Sequence, residues 1–65
     1  MRKWLKELRE RAKMSQVELA AAAGISQQQY SFIETGKRGV TVNVAKKIAA
    51  ALGFDWQRFY DDAAE

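Results

Sequence analysis

The sequence predicts a small all-α domain of five helices. Apolar residues recur at helical spacing along most of the 65 residues, with charged residues on the opposite faces. Serine or threonine precedes the central segments and glycine follows them, which is typical of helix starts and stops. Proline is absent, and β-branched alternation is confined to residues 40–44, too short a stretch to favour a sheet.

The first predicted helix spans about residues 2–13. Leu5, Leu8 and Ala12 form its apolar stripe, and the arginine and lysine side chains lie opposite. This segment is therefore expected to pack through one face only.

The second and third helices have the most clearly marked starts. Ser15 with Glu18, and Ser26 with Gln29, form two capping boxes that lie 11 residues apart. In each box the serine accepts a hydrogen bond from the backbone N–H three residues on, and the Glu or Gln side chain returns one. Two short helices are therefore expected here, joined by a tight turn.

Gly24 and Gly36 mark the ends of these two helices, because glycine suits the left-handed residue that follows a helix. The residues expected to face the core are Val17, Leu19, Ala20, Ala23, Tyr30 and Ile33.

The fourth helix is predicted to run from its N-cap Thr41 to Leu52, with Gly53 ending it. The fifth is short, with Asp55 capping residues 56–60. The stripe of the fourth helix consists of Val42, Ala45, Ile48, Ala49 and Leu52.

Composition excludes several classes of function. The chain has no cysteine and no histidine, so the usual zinc ligands and the usual general base are missing, and neither metal, cofactor nor enzymatic activity is expected. Its apolar runs fall far short of the ~18 residues of a membrane span. A soluble, cytoplasmic protein without an evident small-molecule effector is predicted.

Charge is divided along the chain. Residues 1–13 and 36–53 each carry a net charge of +4, whereas residues 14–35 carry −2 and residues 54–65 carry −3. Two basic blocks thus flank a glutamine-rich segment of few charges. This pattern suits contact with nucleic acid, with cations for phosphates and neutral amides for base edges, and the acidic end is expected to face away.

The segment from Gln16 to Thr35 resembles the helix-turn-helix of the XRE family, the lambda-repressor-like and Cro-like regulators. Ala20 stands where the family's two helices cross, and Gly24 stands in its turn. The apolar positions of the pattern are Leu19, Ala23, Ile25, Tyr30 and Ile33, and residues 33–38 (IETGKR) resemble the family's apolar-Glu-x-Gly-x-Arg signature.

The resemblance implies a compact lambda-repressor-like DNA-binding domain over residues 5–59. Its helix-turn-helix proper covers residues 16–35, and residues 60–65 form an acidic tail. The implied activity is sequence-specific binding of double-stranded DNA by a transcriptional regulator located in the cytoplasm and associated with the nucleoid.

The third helix is the one that enters the major groove in this fold. Gln27 and Gln28 lie at its exposed amino end, where a glutamine amide can bond adenine N7 and N6 together. Ser26 and Gln29 belong to the same expected contact surface, although Gln29 is foremost the capping partner of Ser26 and its contact would be to phosphate.

Three further positions extend this expected surface. Gln16 resembles a family phosphate clamp that also supports the first recognition glutamine. Ser31 lies one turn after the glutamine pair and could meet a base or a phosphate. Phe32 departs from the family, where this position is often polar; it either presses on a thymine methyl, the slightly favoured interpretation, or packs under the loop after Gly36.

Arg9 and Glu34 are expected to form a structural ion pair, because the corresponding residues pair in phage relatives. Lys37 and Arg38 follow the third helix, where phosphate contact is expected. Gly39 and the residue after it stand where relatives often have proline, so the loop should be looser than in those relatives.

The chain is rich in large aromatic residues for so small a core. Trp56 and Tyr60 are possible contacts of a weak homodimer, with core packing as the alternative. The expected function is a repressor that binds a near-palindromic operator as a dimer. The alternative is a protein–protein interaction module, antitoxin-like or adaptor, with Phe32 as anchor; phage repressor, antitoxin and restriction controller are not distinguished.

Overall fold

In a computed structural model, which describes residues 1–61, the chain forms five helices and no strand. The helices are α1 (Lys3–Arg11), α2 (Gln16–Ala23), α3 (Gln27–Thr35), α4 (Val42–Leu52) and α5 (Arg58–Asp61). The predicted all-α fold is confirmed. Residues 62–65 of the predicted acidic tail lie outside the described residues.

Both predicted capping boxes are present. Ser15 Oγ accepts from the Glu18 N–H at 3.1 Å, and the Ser15 N–H donates to Glu18 Oε1 at 2.9 Å. Ser26 and Gln29 repeat the arrangement at 3.1 Å and 3.0 Å. Each box satisfies two backbone N–H groups that the helix itself cannot bond, so α2 and α3 begin at sharply defined residues.

The glycines after α2 and α3 adopt the left-handed conformation, with φ of 70° at Gly24 and 81° at Gly36. A side chain would be strained at either position. At Gly24 the chain turns directly into α3, and at Gly36 it turns back toward the end of α3, so these two residues set the direction of the helix and of the loop that follows it.

Two helices are shorter than predicted. The first spans Lys3–Arg11 rather than about residues 2–13, because no side chain caps its start and Lys13 takes a left-handed φ of 56° just beyond its end. The fifth is Arg58–Asp61 rather than residues 56–60. Asp55 Oδ1 accepts from the Gln57 N–H at 3.0 Å, which closes a turn ahead of the helix instead of capping it.

Three residues expected to face the core are exposed. Val17 is 58% exposed, because residues two apart in a helix do not share a face and the buried Leu19 takes the inward one. Val42 is 45% exposed, since it opens α4 one turn ahead of Ala45, where burial of that stripe begins. Ala12 is also exposed, because it lies past the last residue of α1.

The core is formed where α2 meets α3 and α4. Its largest fully buried side chains are Tyr30, Leu5, Leu19 and Ile48. Four buried alanines, Ala20, Ala23, Ala45 and Ala49, line the packing surfaces of α2 and α4. These small residues allow the two helices to approach closely, and α3 is thereby held against a rigid support.

The opposite end of the core is closed by aromatic rings. Trp4 packs edge-on against Phe54 and Phe59, with ring centroids 5.3 Å and 5.2 Å away. The Arg58 guanidinium lies 4.6 Å from the Trp4 ring centroid. This aromatic cluster, Trp4, Phe54 and Phe59, attaches the short α5 to α1.

Candidate nucleic-acid interface

The amino end of α3 presents two exposed glutamines. Gln27 and Gln28 are the first two residues of the helix, directly after its cap Ser26. Within residues 1–61 the Gln28 side chain forms no hydrogen bond, so its donor and acceptor are both available. The side-chain oxygen Oε1 of Gln29 instead accepts from the Ser26 N–H, which holds the Gln29 side chain at the start of the helix.

Gln16, the first residue of α2, connects the two helices. Its Nε2 donates to Glu34 Oε2 at 2.7 Å, while its Oε1 accepts from Gln27 Nε2 at 3.4 Å. The second of these bonds is long and lies on the surface. Gln16 therefore orients the Gln27 amide from the side of α2. Within residues 1–61 the Gln27 Oε1 is left free for another partner.

Glu34 is the centre of this arrangement and is only 3% exposed. Its Oε1 accepts from Arg9 Nε at 2.9 Å and from the Tyr30 hydroxyl at 3.0 Å, and Gln16 occupies its other oxygen. Arg9 also donates from Nη1 to the Met14 carbonyl at 2.9 Å. We call Arg9, Gln16, Tyr30 and Glu34 the Glu34 network; it joins α1, α2 and α3.

The network keeps the carboxylate charged. Burial opposes ionisation of Glu34, but the hydrogen bonds from Arg9, Gln16 and Tyr30 outweigh it and hold its pKa below the ordinary value. The hydrogen bond to Glu34 likewise raises the pKa of Arg9. Burial, followed by the nearby Glu34 charge, raises the pKa of Tyr30. At neutral pH the network therefore holds one anion, one cation and a neutral hydroxyl.

Two cations follow α3 and lie beside Phe32. Lys37 Nζ is 5.9 Å and Arg38 Cζ 5.1 Å from the Phe32 ring centroid. Both cations are exposed and the ring is half-buried. Phe32 thus lies against the loop after Gly36.

Ser31, the residue before Phe32, is also half-buried. Its backbone carbonyl oxygen accepts from Thr35 Oγ1 at 2.9 Å.

Arg2 contributes to the site although sequence reasoning missed it. Its N–H donates to the Glu34 carbonyl at 2.8 Å, and its Nη1 donates to the Ile33 carbonyl at 2.6 Å. The last carbonyls of α3 are thereby satisfied from the start of the chain. No local signal could have shown this, because the partners are 31 residues apart. Tyr30, expected only as a core residue, likewise has a second role through its hydroxyl.

Trp56 and Tyr60 lie on another part of the surface. Their rings meet edge-on with centroids 5.9 Å apart, and Lys46 Nζ is 5.3 Å from the Trp56 ring centroid. Tyr60 is 44% exposed, and its hydroxyl donates to the Val40 carbonyl at 2.9 Å. The pair therefore offers apolar area while already being held within the chain.

A metal-binding cluster and a membrane-spanning helix are both absent from residues 1–61. No group of three or more acidic, histidine or cysteine residues lies close enough there to hold a metal ion. No helix of this part of the chain is long and apolar enough to cross a membrane.

Comparisons with known proteins find similarity to helix-turn-helix proteins. The helix-turn-helix family model matches residues 5–59. A protein of Bacillus subtilis (strain 168), described as an uncharacterized HTH-type transcriptional regulator, YqaF, is 48% identical over 62 residues, which cover 95% of this chain and 82% of the relative. The control protein C.MunI of a Mycoplasma species is 39% identical over 59 residues, covering 89% and 80%.

Proposed function

The chain belongs to the XRE family of helix-turn-helix transcriptional regulators, and from this premise we propose that it is a repressor that binds a near-palindromic operator as a dimer. The observation that carries the proposal is the exposed pair Gln27 and Gln28 at the amino end of α3, with Gln27 braced through Gln16 on the Glu34 network. In this fold that end of the helix enters the major groove.

The two glutamines are assigned to base reading. Gln28 has a free amide, which can bond adenine N7 and N6 together. Gln27 is oriented by Gln16, so part of the entropic cost of fixing its side chain is met before DNA arrives. We assign Ser26, Gln29 and Ser31 to the margin of the same surface, where they would meet the sugar-phosphate backbone.

Contact with the phosphates of the DNA backbone is assigned to the cations Lys37 and Arg38. Neither forms an ion pair within residues 1–61, and both lie in the loop beside α3. Gln16 is assigned to a phosphate as well, through the second N–H of the Nε2 group that already donates to Glu34. Phosphate contacts of this kind hold a protein in register but carry no base sequence.

Dimer formation is assigned to the Trp56 and Tyr60 surface. One module makes few phosphate contacts, so two copies on half-sites one helical turn apart, ~34 Å, would supply the affinity. Repression then follows from occupation of the operator, which excludes polymerase.

The interaction-module alternative needs Phe32 as an exposed anchor. The ring is instead half-buried beside Lys37 and Arg38. Neither aromatic of α3, Phe32 or the buried Tyr30, is exposed, so no observation favours a protein partner on this helix.

The test begins with selection of an operator from a random duplex pool, followed by titrations of operator and scrambled duplex at several salt concentrations. Gln28→Ala should weaken operator binding by about 1–3 kcal/mol, relax the preference at one base pair and leave the scrambled duplex unaffected. Lys37→Ala or Arg38→Ala should weaken both duplexes alike and reduce the salt slope by about one.

Gln57→Ala is the matched control, because it removes an exposed glutamine near α5 and should change neither duplex. If Gln28→Ala weakens both duplexes equally, α3 does not read bases. If the wild-type protein shows no salt-sensitive binding to any duplex, DNA binding itself is wrong for this chain.

Self-association is measured separately by sedimentation. Weak association at micromolar protein, strengthened by operator DNA, is expected. Tyr60→Ser should reduce it, whereas Val17→Ser, which removes another exposed apolar side chain, should not. A single protomer on a saturated palindrome would contradict the dimer.

A further inference from the structure

The loop after α3 folds back on one aromatic residue. Gly36 takes its left-handed φ of 81°, and the N–H groups of Lys37 and Arg38 then both donate to the Phe32 carbonyl, at 3.0 Å and 3.3 Å. Residue 32 therefore fixes the backbone of both cations. The same turn brings their side chains back over the Phe32 ring.

Both cations lie within the range of a cation–π contact. The distances to the Phe32 ring centroid are 5.1 Å for Arg38 Cζ and 5.9 Å for Lys37 Nζ, and such contacts extend to about 6 Å. The Arg38 carbonyl also accepts from Arg2 Nη1, at 3.5 Å. Arg38 is thus contacted at its backbone N–H, its carbonyl oxygen and its side chain.

This arrangement bears on the entropic cost of a phosphate contact. Free lysine and arginine side chains sample many rotamers, and fixing them on a phosphate costs conformational entropy. A guanidinium that stacks by its flat face on a ring keeps its N–H edges available for an anion. A ring beneath both cations would therefore lower the cost of phosphate contact without touching DNA itself.

We propose that Phe32 is a positioning residue that orders Lys37 and Arg38 for phosphate contact and reads no base. The proposal rests on the DNA-binding function proposed above. It replaces the interpretation that Phe32 presses on a thymine methyl, since the ring is half-buried and its neighbours are the two loop cations.

Two substitutions separate aromaticity from size. Phe32→Leu keeps an apolar side chain but removes the ring, and Phe32→Tyr keeps the ring. Titrations of operator and scrambled duplex should show about fivefold weaker binding of Phe32→Leu to both, with a smaller salt slope, because the ordered cations are lost. Phe32→Tyr should stay within about twofold of wild type.

A second measurement follows the side chains in the free protein. The ring current of Phe32 should shift the proton resonances of the Lys37 and Arg38 side chains upfield. These shifts should vanish in Phe32→Leu and persist in Phe32→Tyr. Adding Arg38→Ala to Phe32→Leu should weaken binding less than Arg38→Ala does in the wild-type background, because the two act through one contact. Should Phe32→Leu fail to fold, Phe32→Met replaces it.

The outcomes distinguish the two levels of the proposal. If Phe32→Leu weakens only the operator and relaxes one base pair, or if Phe32→Tyr binds as poorly as Phe32→Leu, the positioning role is wrong while DNA binding stands. Unshifted side-chain resonances in wild type would also overturn the role. If wild type binds no duplex, the proposed function fails as well, and that result is visible without any variant.

Discussion

The Glu34 network and the aromatic cluster hold the same small domain together by different means. The network joins α1, α2 and α3 through directional hydrogen bonds to one buried carboxylate. The cluster joins α1 to α5 through ring contacts between Trp4, Phe54 and Phe59. Hydrogen bonds constrain angles as well as distances, whereas ring packing stabilises mainly by burying apolar area.

This difference corresponds to the role proposed for each region. Under the proposed function, the helix that presents Gln27 and Gln28 needs a defined orientation, since its amides would read bases only when they point at base edges. The rings of the aromatic cluster need only to exclude water from the core. The comparison predicts that damage to the cluster lowers stability without relaxing the preference for the operator, whereas damage to the network also affects the orientation of α3.

The largest effect is expected from Phe59→Ala, because Phe59 is 2% exposed and contacts both other rings of the cluster. The loss in the free energy of unfolding should be about 3–5 kcal/mol, measured by denaturant melts, and much of so small a domain's stability would be gone. Tyr60→Phe, one residue along, removes only a surface hydrogen bond and serves as control. A loss for Phe59→Ala no larger than that control would show that α5 does not close the core.

Arg9→Ala comes next. It leaves the buried Glu34 charge without its cation, which costs about 3 kcal/mol, although Gln16 and Tyr30 still donate to it. The midpoint of the denaturant melt should fall while the salt slope of DNA binding stays unchanged. An unchanged midpoint with a reduced salt slope would mean that Arg9 meets phosphate instead.

Tyr30→Phe sharpens the comparison, because it removes one hydroxyl and leaves the ring in the core. The free energy of unfolding should fall by about 1 kcal/mol through the lost bond to Glu34. The affinity for the operator should fall more than the affinity for a scrambled duplex, since the network orients α3. If Tyr30→Phe and a stability-matched variant such as Phe54→Leu affect operator binding equally, the network has no orienting role.

The smallest effect is the pH dependence. The pKa of folded Glu34 lies below its unfolded value of about 4.3, so its contribution to stability is complete above that pH and is lost as pH falls through the folded pKa. Melts of wild type from pH 6 downward should therefore show stability falling with acid, and Glu34→Gln should show a shallower fall. Glu18, whose pKa the Ser15 N–H lowers, accounts for part of the remaining slope. Equal slopes in both proteins would contradict a charged Glu34.

Capping residues and glycines predicted the helix ends well wherever the residues that form the end lie within one turn of each other in the sequence. Ser15, Ser26 and the glycines after α2 and α3 define ends through bonds and φ values that span one turn. Where such signals were weak the bounds shifted, as at Lys13 and at Asp55. Val17 shows that apolar character alone does not predict burial, because this residue of the first turn of α2 points outward.

By itself the sequence determined the capped α2–α3 pair, the basic blocks that flank it and the family to which the chain belongs, because these depend on neighbouring residues and on a 20-residue pattern. Only the tertiary structure decided that Gln16 and Tyr30 join Arg9 at Glu34, that Arg2 completes the end of α3, and that Phe32 lies against Lys37 and Arg38. Such contacts depend on how the helices pack and on where the loop after Gly36 returns, and distances between side chains from separate segments are not encoded in the spacing of any one of them.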